Sequence, residues 1–190
     1  ANGWRSTVQE AVPALAPLLF DKDLSSWARI ALEVIPGPAA DAALRHALGT
    51  AQGRLLVGVI NSIAVRRDAE AVNALAEKLK DADAEVASAA AVALGSIGGE
   101  AAVKILEPAL AAVSAVVRPA VAEGCILCAE KSLAAGQAAE AVRLYDLVRR
   151  TTLPKQRLLE ATRGAILARG PAGMALLAEQ LESSDKDQFG

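Results

Sequence analysis

Leucines recur along this chain in a fixed frame: a leucine, a second apolar residue four positions on, and a polar residue four after that. The frame fits Leu15, Leu19 and Asp23, then Leu44, Leu48 and Gln52, then Leu75, Leu79 and Asp83. Leu106, Leu110 and Ser114 continue it, followed by Leu144, Val148 and Thr152 and finally Leu177, Leu181 and Asp185. The leading leucines are spaced 29, 31, 31, 38 and 33 residues apart, so the chain is an internal repeat with a nearly constant period.

Residues at i and i+4 share one face of a helix, so each apolar pair predicts the buried stripe of a first helix. The polar residue that follows is Asp, Ser or Thr in every unit but one, and these types cap a helix by accepting its free N–H groups. Only Gln52 departs from that rule. After each cap comes a second, alanine-rich helix, of which "EVASAAAVALGSIGG" is the clearest, closing on Gly99. Pro36-Gly37 and Gly170-Pro171 punctuate other units in the same way. A two-helix unit of this length is too thin to bury its apolar face alone, and stacking on its neighbours solves the problem. The expected fold is an all-α α-solenoid of about six helical hairpins, the last truncated.

The segment "DAEAVNALAEKLKDADAEVASAAAVALGSIGGEAAVKIL" resembles the HEAT repeat, in the short form shared with phycobilisome lyases. It shows the A-V-x-x-L first helix, the D-x-D cap and the A-L-G-x-I-G end of the second helix. Residues 38–112 carry the likeness best and residues 8–37 more loosely. Ala87 stands where the family often has Arg, which removes one rung of the usual polar ladder between repeats. Further on, "LAAGQAAEAVRLYDLVRRTTLP" looks like the turn and second helix of a tetratricopeptide repeat, with Gly136 at the turn, Tyr145 inside the helix and Pro154 near its end. Longer hairpin arms here account for the 38-residue interval. Both resemblances imply a right-handed α–α superhelix. The expected organisation is one array over residues 1–190, HEAT-like from 8 to 112, with longer tetratricopeptide-like hairpins from 113 to 170 and an incomplete repeat from 171 to 190. Neither end shows the polar capping repeat that closes natural arrays, so the chain is expected to be a segment of a larger protein.

Composition narrows the chemistry. Hydrophobic residues make up 53% of the 190 but aromatics only 3%, which suits thin, closely packed helices. A formal charge of −2 counts against general polyanion binding. No apolar run approaches the ~18 residues of a membrane span. The arginines at Arg66-Arg67, Arg149-Arg150 and Arg157 read as solvated surface, and Trp4 and Trp27 as packing residues of the first hairpin, Trp27 sealing the stack. A single histidine, His46, leaves no basis for a Ser/His/Asp or Cys/His arrangement, and "SIGGE" is a helix end and not a phosphate loop.

One chemical motif remains, Cys125-x-x-Cys128 in "EGCILCAEK". Zinc normally takes four ligands, and no second cysteine pair exists. Redox pairs of this spacing sit at a helix N-terminus, where the dipole lowers a thiol pKa. The predicted helix runs from about Pro119 to Ala135, which places these thiols roughly two turns inside it. They are therefore read as small buried hydrophobes, and no metal or cofactor is expected.

What remains is a surface. In the resembled families the second helices line a concave face that binds extended peptides or other domains. Arg29, Arg54, Asn61, Ser88, Arg118, Arg157 and Arg163 are the candidate lining residues, and their basic tilt suits an acidic peptide or helix. The expected function is a non-enzymatic protein-interaction or scaffold module with a protein or peptide partner, possessing no membrane span. A lyase-like or enzyme-auxiliary role would need a ligand pocket with a polar cluster. Nucleic-acid binding would need a basic, aromatic-bearing groove, which five aromatics and a negative net charge do not supply.

Overall fold

The computed structural model describes residues 9–182. Every regular element among them is helical. They fall into two compact units, Ala1–Ile97 and Gly98–Gly190.

The first unit opens with α1 (Val12–Leu15) and a 3-10 turn, Ala16–Phe20, and continues with α2 (Ser25–Val34), α3 (Pro38–Thr50) and α4 (Gly53–Arg66). A second 3-10 turn, Ala69–Ala71, leads into α5 (Val72–Lys78) and α6 (Ala84–Ile97). Pro13 and Pro17 stand at the starts of the two short opening pieces, where a missing N–H costs nothing. The second helices stack side by side, α2 on α4 and α4 on α6, while α3 packs on α4 and α5 on α6 within their own hairpins.

The second unit contains α7 (Gly99–Ala112), α8 (Arg118–Ala134), α9 (Ala138–Arg149) and α10 (Lys155–Ala168), then a 3-10 turn, Gly170–Ala172, and α11 (Gly173–Glu182). Here α7 packs on α8, α9 on both α8 and α10, and α10 on α8 and α11. Each unit thus shows the helical-hairpin stacking of an α-solenoid. At 17 residues α8 is the longest helix described, which explains the long interval between Leu106 and Leu144.

The repeating apolar pairs form the core as predicted. Leu44, Leu48, Leu75, Leu79, Leu106, Leu110, Leu144 and Val148 are all buried, and so is Leu19. Leu15 is half-buried. The last pair departs from the pattern: Leu177 is only half-buried, its neighbour Leu176 being the buried one, and Leu181 is 67% exposed on α11, where nothing among the described residues covers it. Alanines fill the spaces between the leucines: Ala87, Ala90, Ala91 and Ala93 are nearly inaccessible, so α6 approaches its neighbours closely. Helix α6 stops at Ile97, and the left-handed Gly98 and Gly99 follow it, close to the predicted end.

The predicted caps fare less well. The Asp83 carboxylate accepts from the Glu85 N–H at 2.9 Å, as expected, and Asp81 accepts from the Asp83 N–H. Asp23 does not cap α2, whose start at Leu24 carries no side-chain cap; Asp21 instead holds the turn before it, accepting from the Asp23 and Leu24 N–H groups at 2.9 Å. Ser114 and Thr152 fail for a common reason. Their loops run on before the helix begins, so the residues at the helix starts are Val117 and Pro154, and neither start carries a side-chain cap. Gln52 precedes α4 without capping it. Asp185 and Trp4 lie outside the described residues.

The arginines at the hairpin ends are also not simply solvated. Arg66 lies at the end of α4 with its side chain only 9% exposed. Its guanidinium donates to the Leu32, Glu33, Ile35 and Gly37 carbonyls at 2.8, 3.2, 2.7 and 3.1 Å, and pairs with the Asp41 carboxylate. Arg149 bonds Asp146 and Thr162, whereas Arg67 and Arg150 are exposed. Trp27 is corrected too. It does not seal the stack but stands 71% exposed, because Ala28, Leu32 and Ile35 already supply the buried stripe of α2.

Candidate functional site

Cys125 and Cys128 lie in the interior of α8, 1% and 2% exposed, as free thiols. Burial pushes the Cys125 thiol up to about 12, with Cys128 and Glu107 adding to the rise. Burial likewise pushes Cys128 up to about 11. Neither is a nucleophile near neutral pH, since the thiolate is the reactive form. Lys131 of α8 itself works against the rise at Cys128, and the remaining charges, Glu107 and Arg143 on Cys125 and Glu140 on Cys128, belong to α7 and α9, against which α8 packs. Among the described residues no group of three or more His, Cys, Asp or Glu is placed to hold a metal ion. Native protein at pH 8 should react with a thiol-specific disulfide reagent far more slowly than unfolded protein. The Cys125→Ala, Cys128→Ala double substitution should lower stability by about 1–3 kcal/mol, the range for a small cavity. Immediate reaction of both thiols in the native state would contradict this packing role.

The exposed chemistry gathers on the second helices. In the first unit Arg29 reaches from α2 to α4, donating to the Gly58 carbonyl at 3.1 Å and lying so close over Gly58 that a Cβ there would sit 2.7 Å from the Arg29 Nε. Arg29 also donates to the Ser62 hydroxyl at 3.4 Å, and that hydroxyl donates to Glu33 at 2.7 Å. Arg29 is therefore a rung between neighbouring second helices, with little left for a ligand. Arg54 and Asn61 are exposed on α4, and Ser88 is half-buried on α6.

In the second unit Arg118 is half-buried at the start of α8 and donates to the Val113 carbonyl at 3.1 Å, leaving its buried Nε without a partner. Arg157 bridges helices: from α10 it pairs with Glu123 of α8 and, at 2.6 Å, with Glu160 of its own helix. Related bridges join the neighbouring helices, Glu107 to Arg143 at 2.7 Å and Asp146 to Arg169 at 2.5 Å. In Asp146, burial works to raise the carboxyl, but the Arg169 and Arg149 guanidiniums outweigh it and hold the group below its usual range.

Between α8 and α10 runs an open groove of about 550 Å³. Ile126, Leu127 and Leu133 of α8 and Leu167 of α10 give it an apolar lining, and Tyr145 of α9 forms part of its floor. The Tyr145 ring lies directly on Gly164, leaving no room for a Cβ there. Burial, reinforced by Glu130, pushes its phenol up to about 12, so the hydroxyl stays protonated. Two further charges line it, Glu130 from α8 and Arg163 from α10, both exposed and neither in an ion pair among the described residues. Of the expected lining residues, Arg157 and Arg163 border this groove, together with Glu130, Tyr145 and an apolar lining that were not among them. Their spacing held the signal, since Glu123, Ile126-Leu127, Glu130 and Leu133 recur every three or four residues.

Residues 55–125 match the family model described as HEAT repeats. That stretch is similar to HEAT repeats. The matched stretch begins in α4 and ends in α8, so it extends past the expected HEAT-like region, 8–112, into the longer hairpin. No curated protein matches the chain. HEAT repeats generally mediate protein interaction or scaffolding and are typically non-catalytic. Among the described residues no helix is long and apolar enough to cross a membrane.

Proposed function

We propose that this chain is a non-catalytic protein-interaction module of the HEAT type, and that the groove between α8 and α10 receives its protein partner. The observation that carries the reading is the groove's make-up: beside the paired Glu123, Arg157 and Glu160 lies an apolar bed flanked by Glu130 and Arg163, which have no ion-pair partner among the described residues. Such a bed desolvates the apolar anchors of a peptide or helix, while the flanking charges fix its orientation. The volume holds a few side chains and not a whole helix, as expected of a site that grips anchor residues. A uniformly acidic partner, suggested by the arginine count alone, is less well supported, because Arg29 and Arg157 are already engaged. The better-fitting partner is an amphipathic segment with a basic residue toward α8 and an acidic one toward α10.

A photo-crosslinking residue placed at Leu167, which is 62% exposed, should yield a discrete protein adduct in cells making the protein. The adduct should be lost when Arg163→Glu is added. The same probe at the exposed Lys104 serves as the control. Equal and diverse adducts from both positions would sink the groove as a specific docking site.

A further inference from the structure

We propose that the outward face of α2 is a self-association surface on which a second copy of this chain docks. Helix α2 has two apolar stripes. Ala28, Leu32 and Ile35 face the core, while Leu24, Trp27, Ile30 and Val34 stand 44%, 71%, 53% and 77% exposed. Those four recur at intervals of three, three and four residues, so they form one ridge along the helix. With its one aromatic, Trp27, offering ~150–250 Å² and three exposed aliphatic side chains beside it, the ridge presents on the order of 500 Å² of apolar surface. That is near the top of the ~300–600 Å² range for the largest patch on a monomeric protein. Two such ridges meeting bury on the order of 1,000 Å², the area a specific interface must clear.

Charge selects a second copy over other occupants. The helix holds one cation, Arg29, and one anion, Glu33, and both are turned toward α4, on Gly58 and Ser62. The ridge is thus free of charge and meets its own image without like-charge repulsion. Its N-terminal flank, Asp21-Lys22-Asp23, is exposed and net acidic, which disfavours the anionic lipid surface that a basic amphipathic helix lies on. An antiparallel pairing about a two-fold axis between Ile30 and Ala31 sets the large Trp27 of each copy against the smaller Val34 of the other. An isologous contact of this kind closes at the dimer.

Analytical ultracentrifugation of the full chain at up to about 100 µM tests the proposal. A species at twice the 19.5 kDa chain mass is expected, dissociating on dilution. Trp27→Glu and Val34→Glu should each give monomer throughout, with unchanged helical circular dichroism, because both residues lie outside the core. Leu167→Glu, in the second unit, should leave the dimer intact. A wild-type chain that stays monomeric overturns the proposal, and so does a dimer that survives both α2 substitutions or is lost with Leu167→Glu.

Discussion

Arg66→Ala is expected to lower the unfolding free energy by about 3–4 kcal/mol, among the largest effects of any single substitution in the first unit. The reason lies in the corner between α2 and α3. Helix α2 ends at Val34 and α3 begins at Pro38, so the chain reverses through Ile35, Pro36 and Gly37. The last carbonyls of any helix lack intrahelical partners. In this corner two prolines remove donors as well, and Gly37 takes φ 97°, which a side chain would strain. The carbonyls are satisfied from outside. Gln9 donates to the Pro36 carbonyl at 2.9 Å, and the Arg66 guanidinium takes those of Leu32, Glu33, Ile35 and Gly37. Its Nε also pairs with Asp41. Removing it strands several part-buried acceptors and a carboxylate together, each at a cost of about 1–3 kcal/mol before relaxation and water entry. Arg66→Lys should recover less than half of the loss, because one ammonium cannot span the fan of acceptors that a planar guanidinium reaches. Urea unfolding followed by circular dichroism measures both. A cost below about 1 kcal/mol for Arg66→Ala would show that the corner holds without its clamp.

Arg66 marks the limit of what the sequence discloses. The hairpin frame was legible because the i, i+4 leucines report a local geometry that each helix satisfies on its own. Their burial from Leu44 to Val148 followed directly. A guanidinium that reaches a corner some thirty residues earlier leaves no local trace, so Arg66 reads as an ordinary solvated arginine at a helix end. Asp23 and Asp21 show the same limit at shorter range, since either could hold the turn into α2 and only the turn geometry decides between them. Trp27 was misread for a different reason. Both stripes of α2 obey helical spacing, so periodicity alone cannot say which one faces the core. In the groove, Arg157 and Arg163 look equivalent in sequence. The structure separates them: Glu123 and Glu160 neutralise Arg157, while Arg163 has no ion-pair partner among the described residues.

Gly164→Ala should destabilise the second unit by about 2 kcal/mol, and the sign of this effect is the informative part. Gly164 lies inside α10, where alanine is normally worth up to about 1 kcal/mol over glycine. Helix propensity alone therefore predicts a gain. Against it stands the Tyr145 ring, seated on Gly164 so closely that a Cβ would overlap three of its carbons. Tyr145 is itself 2% exposed and held by the packing of α9 on α8 and α10, so the ring has little room to withdraw. Overpacking of this kind typically costs about 1–3 kcal/mol and displaces the elements involved. Combining Gly164→Ala with Tyr145→Leu isolates the contact. If the ring is the obstacle, the alanine should become neutral or stabilising in the Tyr145→Leu background, giving a coupling energy of at least about 2 kcal/mol. Because Tyr145 also floors the groove, Gly164→Ala should reduce crosslinking at Leu167 even at temperatures where the unit remains folded. An alanine that stabilises the wild-type background would place the Tyr145 ring elsewhere and remove the floor from the docking site.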